Sequence, residues 1–141
     1  MSKPENRSQL MKYFGATQKN TVWSWCGVNE QEQSVYFSIW TDYYNKFGEK
    51  DKKYYTIQEP HWGNKEQSGS QSAGKADHDI NIDKVLNHGY KAFGYFIEAK
   101  DKNIVPREIK ETRTSFVFSL ELEKLPTGEI ICYLIDRIEV K

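Results

Sequence analysis

The chain has no surplus of either charge: twenty Lys and Arg balance twenty Asp and Glu over 141 residues. A non-specific nucleic-acid coat or a membrane-surface binder needs a positive field. A global basic surface is therefore excluded, and any nucleic-acid reader must cluster its basic residues locally. No apolar run reaches transmembrane length, and the first residues lack the apolar stretch of a signal peptide. Both features predict a cytoplasmic protein with no membrane partner. Cysteine is scarce. Cys26 and Cys132 lie in apolar strand patterns with no metal ligand at suitable spacing, which predicts buried free thiols in a reducing compartment. A Gly-rich phosphate loop, a Ser-His-Asp order, a CxxC pair and an internal repeat are all missing. No cofactor is expected.

What is present is aromatic. Phe, Trp and Tyr make up 14% of the residues, and the excess lies in Tyr and Trp, the side chains suited to surfaces both apolar and hydrogen-bonding. Three of the four tryptophans fall in one hairpin pattern, Asn20 to Val28 and then Ser34 to Asp42. With period two, Trp23 and Trp25 share one face of the first strand. Val35, Phe37 and Ile39 share a face of the second, opposite Tyr36, Ser38 and Trp40. Such a two-sided ribbon either lies inside a small barrel or lends one aromatic face to a ligand.

The length fits a single domain, residues 1–141. Ser2-Lys3-Pro4-Glu5 predicts a helix start, Leu10, Met11 and Phe14 its apolar stripe, and Gly15 its end. Asn29 to Gln33 forms the hairpin turn, and Tyr43 to Lys53 reads as a loop. A third strand, Lys53 to Gln58, stops at Pro60. Residues 63–76, rich in Ser, Gly and Gln, have the composition of a flexible internal loop. Asn81 is a good N-cap for a short helix carrying Ile82, Val85 and Leu86 and ending at Gly89. Strands follow at Ala92 to Lys100, Ser115 to Leu122 and Glu129 to Val140, with a polar crossover from Asp101 to Arg113. The expected class is α+β: a small, mostly antiparallel, barrel-like sheet of about six strands with two short helices.

Three chemistries are open to these residues. Glu98-Ala99-Lys100 at a strand end matches part of the PD-(D/E)xK nuclease signature, in which the carboxylate holds Mg²⁺ and the ammonium steadies the attacking water. Its further acidic residue would have to come from Asp77, Asp79 or Asp83, none of which starts a paired strand. Asp77-His78-Asp79 reads as a solvated loop and His61 and His88 stand alone, so no metal site is expected. The second chemistry is binding. Trp23, Trp25, Trp40, Tyr43, Tyr44 and Trp62 can stack on a base that is single-stranded or flipped, and Asp42 can accept from an exocyclic amine. Lys65, Lys75, Arg107, Lys110 and Arg113 can meet phosphates. The third is a non-catalytic protein-interaction domain whose aromatics fill the core.

Several short motifs carry a resemblance: Tyr13-Phe14-Gly15, Asn20, Trp23-Ser24-Trp25, Trp40-Thr41-Asp42, and Ala99-Lys100-Asp101 with Pro106-Arg107-Glu108-Ile109. Together they resemble a small bacterial module of HNH-type and other modification-dependent restriction systems, and the layout is similar to PUA-like barrels of the SRA, EVE, ASCH and YTH group. The resemblance implies a DNA-recognition module for restriction or phage defence that reads a modified base in an aromatic pocket. Trp23, Trp25, Trp40 and Asp42 would line that pocket, and Arg107 would contact phosphate. The chain contains no HNH motif, so a nuclease partner or fused domain would supply cleavage. The later strands, Phe93 to Ile135, carry enough aliphatic and Phe surface to fill a small core. That reading leaves the Trp25/Trp40 side of the hairpin for the ligand.

Overall fold

A computed structural model describes residues 4–18, 26–45, 54–59, 69–101 and 109–140, the side chains of 45 and 69–74 excepted. The first helix, α1, is Arg7–Tyr13. It starts later than Ser2-Lys3-Pro4 implies because Asn6 is the cap: its Oδ1 accepts from the Gln9 N–H at 2.9 Å. Gln9 reaches back to accept from the Glu5 N–H at 2.8 Å, a reciprocal arrangement akin to a capping box. Leu10 and Met11 are buried, and the chain leaves the helix through Gly15 at φ 66°.

Strand β1 (Cys26–Asn29) turns through residues 30–33 into β2 (Ser34–Trp40), pairing antiparallel from Cys26↔Phe37 to Asn29↔Ser34. A 3-10 turn, Thr41–Tyr43, leads to a two-residue strand β3 (Tyr44–Asn45) where the sequence reads as loop, and β3 pairs with β4 (Tyr54–Gln58). Next comes α2 (Gly69–Asn87), then β5 (Lys91–Ala99), β6 (Ile109–Thr112), β7 (Phe116–Lys124) and β8 (Ile130–Glu139). Strand β6 lies within the segment read as a crossover, and residues 102–108 of that segment are outside the described residues.

Helix α2 corrects two expectations. It occupies 69–76 of the stretch read as a flexible loop, while 63–68 lie outside the described residues. Asn81 is no cap but a buried residue inside a long helix. The inward stripe explains both. It consists of Asp77, His78, Asn81 and Ile82, with Val85 half-buried. Their i, i+1, i+4, i+5, i+8 spacing is helical, but three of the five are polar, so a search for apolar periodicity misses them. The predicted end does hold: the helix stops before Gly89, at φ 74°.

The eight strands form one sheet in the order β1-β2-β5-β7-β8-β4-β3, with β6 pairing β5 beyond the end of its ladder with β7. Among the described residues only β2 and β5 run parallel, so the sheet is mostly antiparallel, as expected. It is not closed. Strands β1 and β3 end the order, and among the described residues no ladder joins them. The sheet does curl enough that β4 comes close to β2. This lets Ile57 join Val35, Phe37, Ile39 and Cys132 in a cluster that also holds Ile82 of α2. A second cluster, of Leu10, Met11, Tyr36, Tyr95, Ile97 and Val117, lies under α1. The sheet thus has an apolar layer on each face. No helix among the described residues is long and apolar enough to cross a membrane.

Candidate nucleic-acid interface

On the face of the sheet that carries Phe37 and Cys132, apolar side chains continue past the cluster under α2 as a row of rings. Tyr44 and Tyr55 are direct partners across β3 and β4, with centroids 5.2 Å apart, edge to face. Tyr55 lies 5.3 Å from Phe96 of β5. Phe96 is 6.0 Å from Phe116 and 5.5 Å from Phe118, and those two are 5.5 Å from each other. The alternation of β7 aims Phe116, Phe118, Leu120 and Leu122 at one face. Leu120 and Leu122 pack with the cluster under α2, while Phe116 and Phe118 belong to the row. The row is partly open: Tyr44 is 38% exposed and the other four rings are half-buried.

Two arginines flank it, each held by a glutamate. The Arg137 guanidinium lies 4.1 Å from the Phe116 ring centroid, a cation–π distance, and its Nε donates to Glu139 at 2.6 Å. The Arg113 backbone N–H donates to the Phe96 carbonyl at 2.9 Å, which sets Arg113 beside the row. Its side chain donates to Glu98 at 2.5 Å, and this carboxylate raises the Arg113 pKa. A groove of about 900 Å³ runs along β6, with Glu5 and Asn6 on one side and Lys110, Arg113 and Phe116 on the other. The Thr114 hydroxyl ties its walls together by donating to the Pro4 carbonyl at 2.7 Å.

The residues singled out in the sequence divide into three groups. Trp23, Trp25, Trp62, Lys65, Arg107 and His61 lie outside the described residues. Trp40, Asp42 and Tyr43 are described. Trp40 is half-buried against the cluster under α1, on the opposite face from the aromatic row. Asp42 is exposed and Tyr43 half-buried on the 3-10 turn, which packs against β4 and β5 at the Tyr44 end of the row. Of the phosphate candidates, Lys110 and Arg113 both line the groove along β6, whereas Lys75 lies on α2. Glu98 is engaged by Arg113, and Lys100 follows the end of β5 on an exposed bend. No cluster of three or more His, Cys, Asp or Glu that could hold a metal occurs among the described residues. Tyr55, Phe96, Phe116 and Phe118 were not anticipated as site residues. Their signal was the run of aromatics on one face of two strands, which reads equally well as core.

A polar seam lies between α2 and the sheet. The Gln58 amide donates to Asp79 Oδ1 at 2.7 Å. Its oxygen therefore faces His78 Nδ1, also at 2.7 Å. Only a protonated Nδ1 satisfies that oxygen, so the imidazole carries its hydrogen there. The ring is 1% exposed and edge-on to Phe37 at 5.4 Å, and burial pushes its pKa down to about 3. Asn81 Nδ2 donates to the Cys26 sulfur at 3.1 Å. Both cysteines are free and buried, as expected, and burial pushes their thiols up to about 12. Asp83 bonds Asn87 and His88 on the exposed end of α2. Cys26, Gln58, His78 and Asn81 are buried, and the seam is suited to fixing α2 in place rather than to chemistry.

Comparison with protein-family models, with curated proteins and with solved structures finds no match to this chain.

Proposed function

We propose that this chain is a nucleic-acid-binding module that stacks an unpaired base, single-stranded or flipped from a duplex, on the row Tyr44, Tyr55, Phe96, Phe116 and Phe118. The observation that carries the reading is the union of half-open rings with Arg137 over Phe116 and Arg113 beside Phe96. Every base has a π face, and a flanking guanidinium adds cation–π and phosphate contacts. The exposed Asp42, on the turn beside Tyr44, supplies an acceptor for an exocyclic amine.

The finer reading is a PUA-like module of restriction or phage defence that recognises a modified DNA base, works in the cytoplasm, and relies on a nuclease partner for cleavage. The curl of the sheet, which brings β4 near β2, favours such a barrel-like arrangement. Buried free thiols suit a reducing compartment.

The test is a fluorescence-anisotropy panel of oligonucleotides with unmodified, methylated and hydroxymethylated bases. Phe116→Ala is expected to weaken binding by about 5- to 150-fold, the equivalent of one lost base–aromatic stack of about 1–3 kcal/mol. Phe116→Tyr, which keeps the ring, is expected to bind like the parent. Absence of binding to every oligonucleotide at low salt refutes the proposal.

A further inference from the structure

The described charges around the aromatic row leave no surplus of cations. Lys110, Arg113 and Arg137 stand against Asp42, Glu98, Glu111 and Glu139, three cations to four carboxylates. The pairing is specific: Arg113 is bonded to Glu98 and Arg137 to Glu139. Glu111 faces Glu98 directly across the β5–β6 ladder, where like charges repel, and Arg113 lies beside both. Duplex DNA carries one negative charge per about 1.7 Å of axis and must be met by a field of cations. Among the described residues the rim does not offer one, and neither does the chain as a whole, at twenty against twenty. A single strand has a lower charge density and offers its base faces without unpairing.

We infer that the aromatic row takes single-stranded nucleic acid in preference to duplex, and that Glu98 and Glu139 are specificity-determining residues. By holding Arg113 and Arg137 they keep the phosphate contribution small, so that stacking supplies the affinity and an unstacked strand is selected. This rests on the base-stacking reading above.

The experiment titrates fluorescein-labelled oligothymidylate of about 20 nucleotides, and a duplex of the same length, against the whole chain from about 50 to about 200 mM salt. The parent protein is expected to bind the single strand at least about tenfold more tightly than the duplex. Its log–log salt slope should be shallow, about −0.7 to −1.4, as for one or two phosphates on a single strand. The double variant Glu98→Gln with Glu139→Gln frees both arginines. It is expected to bind duplex at least about tenfold more tightly than the parent, with a slope steeper by about −1 to −2. Both glutamate side chains reach solvent, at 27% and 56% exposure, and circular dichroism verifies the fold of the variant. Duplex bound by the parent as tightly as single strand overturns this inference and leaves base stacking standing. A double variant with unchanged duplex affinity overturns the role of the two glutamates. Binding of neither ligand by a folded protein overturns the base-stacking reading and this inference together.

Discussion

Burial holds the His78 imidazole neutral, with its pKa down at about 3 against an ordinary value near 6.5. The unfolded chain therefore binds a proton between those values that the native protein refuses. The stability His78 contributes by staying neutral is complete above pH about 6.5 and is lost as pH falls toward about 3. At pH 5 the loss is about 2 kcal/mol, from about 1.5 pKa units at 1.36 kcal/mol each. Glu30, whose pKa Lys84 and Tyr90 lower, adds a dependence of the same sign from the surface. The His78 part is isolated by comparison with His78→Leu. At pH 7.5 that variant is expected to lose about 1–3 kcal/mol by stranding the Gln58 oxygen. Between pH 7.5 and 5 its urea midpoint is expected to fall less than that of the parent. A parallel fall in both proteins refutes the assignment.

At the scale of the element, α2 and β5 are opposite cases of legibility. Strand β5 was readable to within a residue or two, because Phe93, Tyr95 and Ile97 alternate with Gly94 and Phe96. Helix α2 was not, because the residues it buries are Asp77, His78 and Asn81. The burial of His78 and Asn81 is tolerable through Gln58 and Cys26, partners more than 15 residues away along the chain. Local composition cannot show such partners. Strand β5 also holds a close approach that its neighbours require. A Cβ on Gly94 would fall on Ile39 of β2 and lie 2.8 Å from Leu120 of β7. Gly94→Val is expected to destabilise by about 1–3 kcal/mol through overpacking, measured by urea denaturation, despite the higher strand propensity of valine. A neutral or stabilising result shows that both side chains can yield.

For the molecule as a whole, the two apolar clusters share their strands. Val35, Phe37 and Ile39 of β2 face α2, while Tyr36 of the same strand faces α1. Neither layer can dissolve without exposing the back of the other. Urea unfolding is therefore expected to be a single transition, with coincident midpoints by circular dichroism and by intrinsic fluorescence. Two separated midpoints refute that coupling. The candidate site is likewise a property of the whole. Tyr44, Tyr55, Phe96 and Phe116 come from four strands, and only the order β5-β7-β8-β4-β3 and the curl of the sheet bring them into one row.

The sequence by itself determined the α+β class, the mostly antiparallel sheet, the alternation of β2, β5 and β7, the end of α1 at Gly15 and the buried free cysteines. These follow from period-two patterns and turn residues, which are local. It also singled out aromatic stacking, but on the four tryptophans with Tyr43 and Tyr44, of which Tyr44 alone is in the row. Tertiary structure decided which aromatics form a continuous half-open row, that Trp40 packs beneath α1, and that Glu98 is held by Arg113 rather than standing as a free carboxylate. Each of those depends on strand order and on pairing between residues distant in the chain, and side-chain periodicity carries no record of either.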